Sequence, residues 1–84
     1  MKAHVTLYTR PGCHLCEEAK KQMLAAGCAD SYTFEEVNID QDESLVERYG
    51  TRIPVIVING VEAFRYRLTA EGFKRKLESS GALP

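Results

Sequence analysis

Cys13 and Cys16 lie three residues apart in "YTRPGCHLCEEA", directly after a Pro-Gly pair and at the start of a helical pattern. Residues spaced this way on a helix share one side, so their Cα atoms are expected roughly 5 Å apart, inside the disulfide window of about 4.4 to 6.8 Å. A redox pair can therefore close without moving the backbone. Cys13 would occupy the first turn, where unpaired N–H groups and the positive end of the helix dipole favour a thiolate, the nucleophilic form. Cys16 falls one turn deeper and faces the core. The asymmetry casts Cys13 as the attacking thiol and Cys16 as the one that resolves the mixed disulfide. Arg10, His14 and Arg52 are candidates to add positive charge nearby, against Glu17 and Glu18.

Other chemistries also fit the spacing. Zinc wants four ligands, and the chain offers Cys13, Cys16, Cys28, His4 and His14 with no second Cys-x-x-Cys. An iron–sulfur cluster bridged between two subunits needs only thiolates from each. Two inert apolar cysteines are a third option, although Pro11-Gly12 leaves the first thiol at an exposed turn. Cys28 follows Gly27 at the expected helix end, a position that packs back on the helix as a small hydrophobe.

The elements that must hold these residues can be traced along the chain. Eighty-four residues close a single hydrophobic core, so residues 1–84 are expected as one domain. Residues 4–9, "HVTLYT", alternate as a strand that ends at the "RPG" turn. From Cys13 to about Ala26 the period becomes helical, with Leu15, Cys16, Ala19, Met23, Leu24 and Ala26 inward and Gly27 as the left-handed stop. Residues 32–40, "YTFEEVNID", form a second strand anchored by Phe34, Val37 and Ile39. Asp40 and Glu43 have the spacing of a capping box for a short helix to Tyr49, with Leu45, Val46 and Tyr49 inward and Gly50 as its stop.

"VIVI", residues 55–58, is apolar throughout, as in a strand covered on both faces. Asn59-Gly60 marks a tight hairpin, so a fourth strand over about 62–66 pairs antiparallel to the third. Thr69 caps a last helix with Ala70, Phe73 and Leu77 inward and Gly81 and Pro84 at its end. The order is βαβαββα. A helix joins the first two strands, which are expected parallel in a mixed sheet flanked by helices.

Charge and hydropathy limit the partners. With 11 Lys+Arg against 12 Asp+Glu the formal charge is −1, which provides no general attraction for nucleic acid or an anionic membrane. The basic cluster of Arg65, Arg67, Lys74, Arg75 and Lys76 reads as a solvated helix face. No segment has the length of a signal-peptide core or a membrane span. A cytoplasmic monomer with reduced thiols is the expectation, and three cysteines argue against a disulfide scaffold.

"YTRPGCHLC" at a strand-to-helix turn, followed by "TRIPVIVING" and set in the βαβαββα order, resembles the thioredoxin-like superfamily. The similarity is greatest to the glutaredoxin-like proteins, in particular a small bacterial group with Pro-Gly-Cys-His-Leu-Cys starts, and it spans about residues 4–78. The resemblance implies a thioredoxin-like α/β fold with a four-stranded mixed sheet and thiol–disulfide oxidoreductase activity on protein or low-molecular-weight disulfides. It also implies that Pro54 is cis and that Ile53 offers its backbone to an extended substrate; Arg10 and Arg52, basic residues within these two motifs, are expected beside that substrate. No bound organic or metal cofactor is implied, with glutathione as a reductant or co-substrate. The alternative is a thioredoxin-like binding module, or a metal or cluster site on the same cysteines.

Two departures bear on glutathione. His14-Leu15 stands where glutaredoxins usually carry Pro-Tyr. "VEAFRYRLTAEG" lacks the Gly-Gly turn whose following helix binds the glutathione carboxylate, and Arg65 and Arg67 are candidates to replace that anion site with side-chain charge.

Overall fold

The structure is a computed structural model, described for residues 2–80. Its elements are β1 (Ala3–Thr9), α1 (His14–Ala25), β2 (Tyr32–Asn38), α2 (Glu43–Tyr49), β3 (Val55–Ile58), β4 (Val61–Arg65) and α3 (Ala70–Ser79), with single 3₁₀ turns at Ala29–Ser31 and Ile39–Gln41. The four strands form one sheet in the order β2-β1-β3-β4. β1 pairs parallel with β2 and antiparallel with β3, and β3 pairs antiparallel with β4. The βαβαββα order and the mixed sheet are those expected from the sequence.

Alternation along β1 explains how the core divides. Val5 and Leu7 point to one face, where Ala19 and Met23 of α1 and Phe73 and Leu77 of α3 join Ile56 and Ile58 in the larger apolar cluster. Tyr8 points to the other face, where Tyr49 of α2 packs with Ile39, Val55 and Ile53. The all-apolar "VIVI" is thus explained, because β3 sends alternate residues into both clusters. Cys28 is buried in the larger cluster as a free thiol.

Local turn chemistry positions the strand ends. Asn59 (φ 52°) and Gly60 (φ 82°) both take left-handed backbone, the requirement of a two-residue hairpin turn that matches strand twist. Thr69 caps α3 by accepting the N–H of Gly72 through Oγ1 at 3.0 Å. Gly81 and Pro84, the expected end marks of this helix, lie outside the described residues.

Several expectations are corrected. Leu24 is 74% exposed: it lies roughly 100° around the helix from Met23, past the line through Cys16, Ala19 and Met23 that meets the sheet. β2 is an edge strand ending at Asn38, so Phe34 remains 45% exposed and Tyr32 is the aromatic that enters the core, edge-on to Phe73. Ile39 is fully buried but sits in the 3₁₀ turn after the strand. The cap of α2 is Asp42 rather than Asp40. Its Oδ1 accepts the N–H and the hydroxyl of Ser44, at 2.9 and 2.7 Å, and these bonds hold its carboxyl below the usual value. Val46 points outward at 36% exposure.

Candidate active site

"RPGC" builds a tight turn in which each residue has a local reason. The carbonyl of Arg10 accepts the N–H of Cys13 at 3.3 Å, Pro11 supplies a fixed φ, and Gly12 takes φ 78°, the combination of a type II turn. Cys13 emerges from it as the N-cap of α1, not as its first helical residue. Its Sγ accepts the backbone N–H of Cys16 at 3.1 Å, the role that a serine or aspartate oxygen plays at other helix starts. The two Cα atoms are 5.3 Å apart and the sulfurs are bonded. Cys13 is partly exposed, whereas Cys16 is completely buried.

The topology gathers the remaining elements at this end of the sheet. Tyr8 lies across from Val55 in the antiparallel register, and one further step along both strands sets Pro54 beside Thr9, at the threshold of the cysteine turn. The Ile53–Pro54 peptide bond is cis. The carbonyl of Pro54 accepts the N–H of Tyr66 at 2.9 Å, which ties the end of β4 to the proline. Among the described residues, the N–H and C=O of Ile53 enter no hydrogen bond.

The two arginines reach this end already engaged. Nε and Nη2 of Arg10 donate to Oδ1 of Asp40 at 3.1 and 2.9 Å. Arg52 donates to the carbonyl of Arg48, approaches Glu62 at 3.7 Å and lies over the Tyr49 ring. Arg10 thus has a carboxylate of its own in Asp40, while Arg52 shares Glu62 with Arg65. Glu17, in the first turn of α1, pairs with Lys20 at 3.1 Å. Arg65 pairs with Glu62 at 3.4 Å, while Arg67 lines a groove between α1 and the turn that links β4 to α3. Among the described residues, no group of three or more His, Cys, Asp or Glu side chains is gathered to hold a metal ion. None of the described helices is long and apolar enough to cross a membrane.

Residue-type reasoning overlooked three features of this end. Gln22, on the polar side of the helical pattern, turns its Oε1 to the N–H of Ala70 at 3.0 Å and so ties α1 to the start of α3. Tyr66 has φ 66°, rare for a residue with a side chain. Tyr8 and Tyr49 stack with ring centroids 4.4 Å apart; burial, with the neighbouring Tyr49 ring adding to it, raises the Tyr8 phenol above its usual value. The tyrosines were visible as β-strand and helix residues, but their meeting spans two elements.

A mixed sheet in this order, with a cysteine pair at the first helix cap and a proline leading the antiparallel strand, defines a thioredoxin-like α/β protein carrying a Cys-x-x-Cys pair. The same fold is seen in a thioredoxin mutant from Halobacterium salinarum, 16% identical, with TM-score 0.66 over 93% of this chain and 74% of that one. The chain belongs to the glutaredoxin-like domain family (DUF836), whose model matches residues 4–78. It is similar to the X. campestris protein XcR50, 33% identical, with TM-score 0.78 over 89% of this chain and 96% of that one. Protein Ne2328 of Nitrosomonas europaea is 28% identical, with TM-score 0.76 over 90% and 92% of the two chains. A Dictyostelium discoideum glutaredoxin-like protein, described as a YDR286C homolog, is 28% identical over 82 residues, covering 90% of this chain and 76% of that protein.

Proposed function

We propose that this protein is a thiol–disulfide oxidoreductase in which Cys13 is the nucleophile and Cys16 the resolving thiol. The observation that carries this reading is the cap geometry: Sγ of Cys13 receives the Cys16 N–H at 3.1 Å and remains partly exposed, with Cys16 completely buried behind it. In the reduced protein that N–H and the α1 dipole stabilise negative charge on the outer sulfur alone. The Cys13 thiolate attacks one sulfur of a substrate disulfide, forming a mixed disulfide and expelling the other sulfur as a thiolate, which takes up a proton. The Cys16 thiol then loses its proton and attacks Cys13 Sγ, releasing the second substrate thiol and leaving the Cys13–Cys16 disulfide. Two electrons have moved to the substrate, and an external thiol reductant returns them.

The substrate, a protein or low-molecular-weight disulfide, lies along Ile53-Pro54 and uses the unpaired N–H and C=O of Ile53. Arg10 and Arg52 flank it as positioning groups, Arg10 held by Asp40 and Arg52 sharing Glu62 with Arg65. Glutathione is a candidate reductant, and a reducing compartment such as the cytoplasm suits this direction of electron flow. The protein needs no second subunit for this chemistry, since both thiols are on one chain.

Equilibration of the purified protein against glutathione redox buffers, with Cys13→Ser and Cys16→Ser alongside, tests the assignment. The wild-type pair should cycle between two thiols and one disulfide, and Cys16→Ser should accumulate a mixed disulfide at Cys13. Reduction of a disulfide substrate by Cys13→Ser at the wild-type rate would make the assignment untenable.

A further inference from the structure

A groove of about 490 Å³ opens beside the cysteine pair, between α1 and the turn that links β4 to α3. One wall is Leu15, the second of the two residues between Cys13 and Cys16, continued by Ala19. The other is Phe64, Tyr66 and Leu68. Both walls lie next to the site, because Leu15 directly precedes Cys16 and is two residues from Cys13, and the N–H of Tyr66 is bonded to the carbonyl of Pro54. A peptide joined by a disulfide to Cys13 and lying along Ile53-Pro54 is thereby brought next to the residues of this groove.

Two of the backbone donors beside it are already used. The N–H of Ala70 goes to Gln22 Oε1 at 3.0 Å and that of Gly72 to Thr69 Oγ1 at 3.0 Å, so two donors at the start of α3 are satisfied from inside the protein. Glu18 and Arg67 add opposite charges at the rim, and Glu18 also meets Lys21 at 3.6 Å. A carboxylate entering here would lose water without gaining those backbone donors, with the solvent-exposed Arg67 at the rim as its cationic partner. An apolar side chain would cover Leu15, Phe64 and Leu68 at no such cost. The left-handed backbone at Tyr66, closed by the Arg67 N–H to the Arg65 carbonyl at 2.8 Å, is a locally costly conformation of the kind found where a side chain must be held for contact.

The geometry points to this groove as a specificity pocket for a bulky apolar side chain next to the substrate cysteine, with Gln22 acting as the positioning residue that closes the start of α3 to ligand carboxylates. The inference deepens the oxidoreductase reading and rests on it for turnover. The substrate class is then a cysteine-containing peptide or protein disulfide with an aromatic or aliphatic neighbour, in preference to an anionic one.

Symmetrical disulfides of Gly-Cys-Phe, Gly-Cys-Ala and Gly-Cys-Glu amides are the probes, with hydroxyethyl disulfide as a substrate lacking any neighbouring side chain. The Phe disulfide is expected to have a kcat/KM at least about tenfold above the Ala and Glu disulfides, the scale of discrimination that an apolar pocket provides. Tyr66→Ala should bring the ratio towards unity and Tyr66→Phe should keep it. Equal rates for all three peptides in the wild type overturn the pocket. So does a preference for the Glu peptide that vanishes in Arg67→Ala, which would make the groove an anion site. If no disulfide is reduced, hydroxyethyl disulfide included, the oxidoreductase reading fails, and the groove is decided by binding alone. In that case Gly-Ser-Phe amide should shift the amide resonances of Leu15, Tyr66 and Leu68 more than Gly-Ser-Glu amide does, and equal or absent shifts overturn the pocket.

Discussion

Under α1 and α3, Val5, Leu7, Met23, Ile56, Phe73 and Leu77 close into one continuous apolar cluster, whereas the face under α2 buries only Ile39, Tyr49 and Val55. The second face is supplemented by other interactions: the Tyr8–Tyr49 stack, the Arg10–Asp40 pair and the Arg52–Glu62 pair. The helix that carries the cysteines is thus seated on the strong side of the sheet. The loop with Ile53 and Pro54 leans on the weaker one. In the proposed reaction the thiol pair keeps its geometry through attack and release, while Ile53-Pro54 accepts and lets go of a partner, and the two kinds of support match those needs.

That contrast can be broken at Phe73. This ring is fully buried and meets Tyr32 edge-on at 5.3 Å between centroids. Phe73→Ala is expected to lower stability by about 3–5 kcal/mol, measured as a fall in the urea midpoint. A loss under about 1 kcal/mol, the range of ordinary surface substitutions, would mean that the α1/α3 face is not the main support. Tyr49→Ala on the other face is expected to cost less, about 1–3 kcal/mol, because the thinner layer can settle into the gap. Its larger consequence falls on Ile53-Pro54, so KM for a peptide disulfide should rise more than kcat falls. The reverse split would place α2 in support of the cysteines.

The smallest effect is one of pH and belongs to α2 alone. Asp42 has its folded pKa lowered by the two Ser44 bonds, so its contribution is complete above the ordinary carboxylate value and is lost as pH falls through the lowered folded value. Protection of the α2 amides, taken relative to the intrinsic exchange rate at each pH, should fall over that acid window, with protection of the α1 and α3 amides unaffected. Asp42→Asn keeps a capping oxygen without a titrating group, and should flatten the change. An unaltered profile in Asp42→Asn would assign the acid sensitivity elsewhere.

Legibility in the sequence followed the range of the interaction. The "RPGC" turn, the Asn59-Gly60 hairpin, the Thr69 cap and the double-faced "VIVI" were readable because each depends on residues a few positions apart or on a strict period of two. Leu24, Phe34 and Val46 were misplaced for one reason: periodicity finds an apolar stripe but not its width, and the width depends on where the neighbouring element ends. Asp40 and Asp42 both suit a helix start, and the choice between them turned on Arg10, which drew Asp40 away through a contact 30 residues distant in sequence.

For the site, the chain alone determined the spacing of the cysteine pair, its placement at a helix start and the shallow-to-deep order of Cys13 and Cys16, since all of these follow from the geometry of one turn and one helix. Only the tertiary structure decided what surrounds that pair. It paired Arg10 and Arg52 with Asp40 and Glu62, bent Tyr66 back to Pro54, and turned Gln22 onto the first N–H of α3. Each of those contacts joins residues on different elements, and which partner a charged or polar side chain meets is settled when the sheet and helices pack.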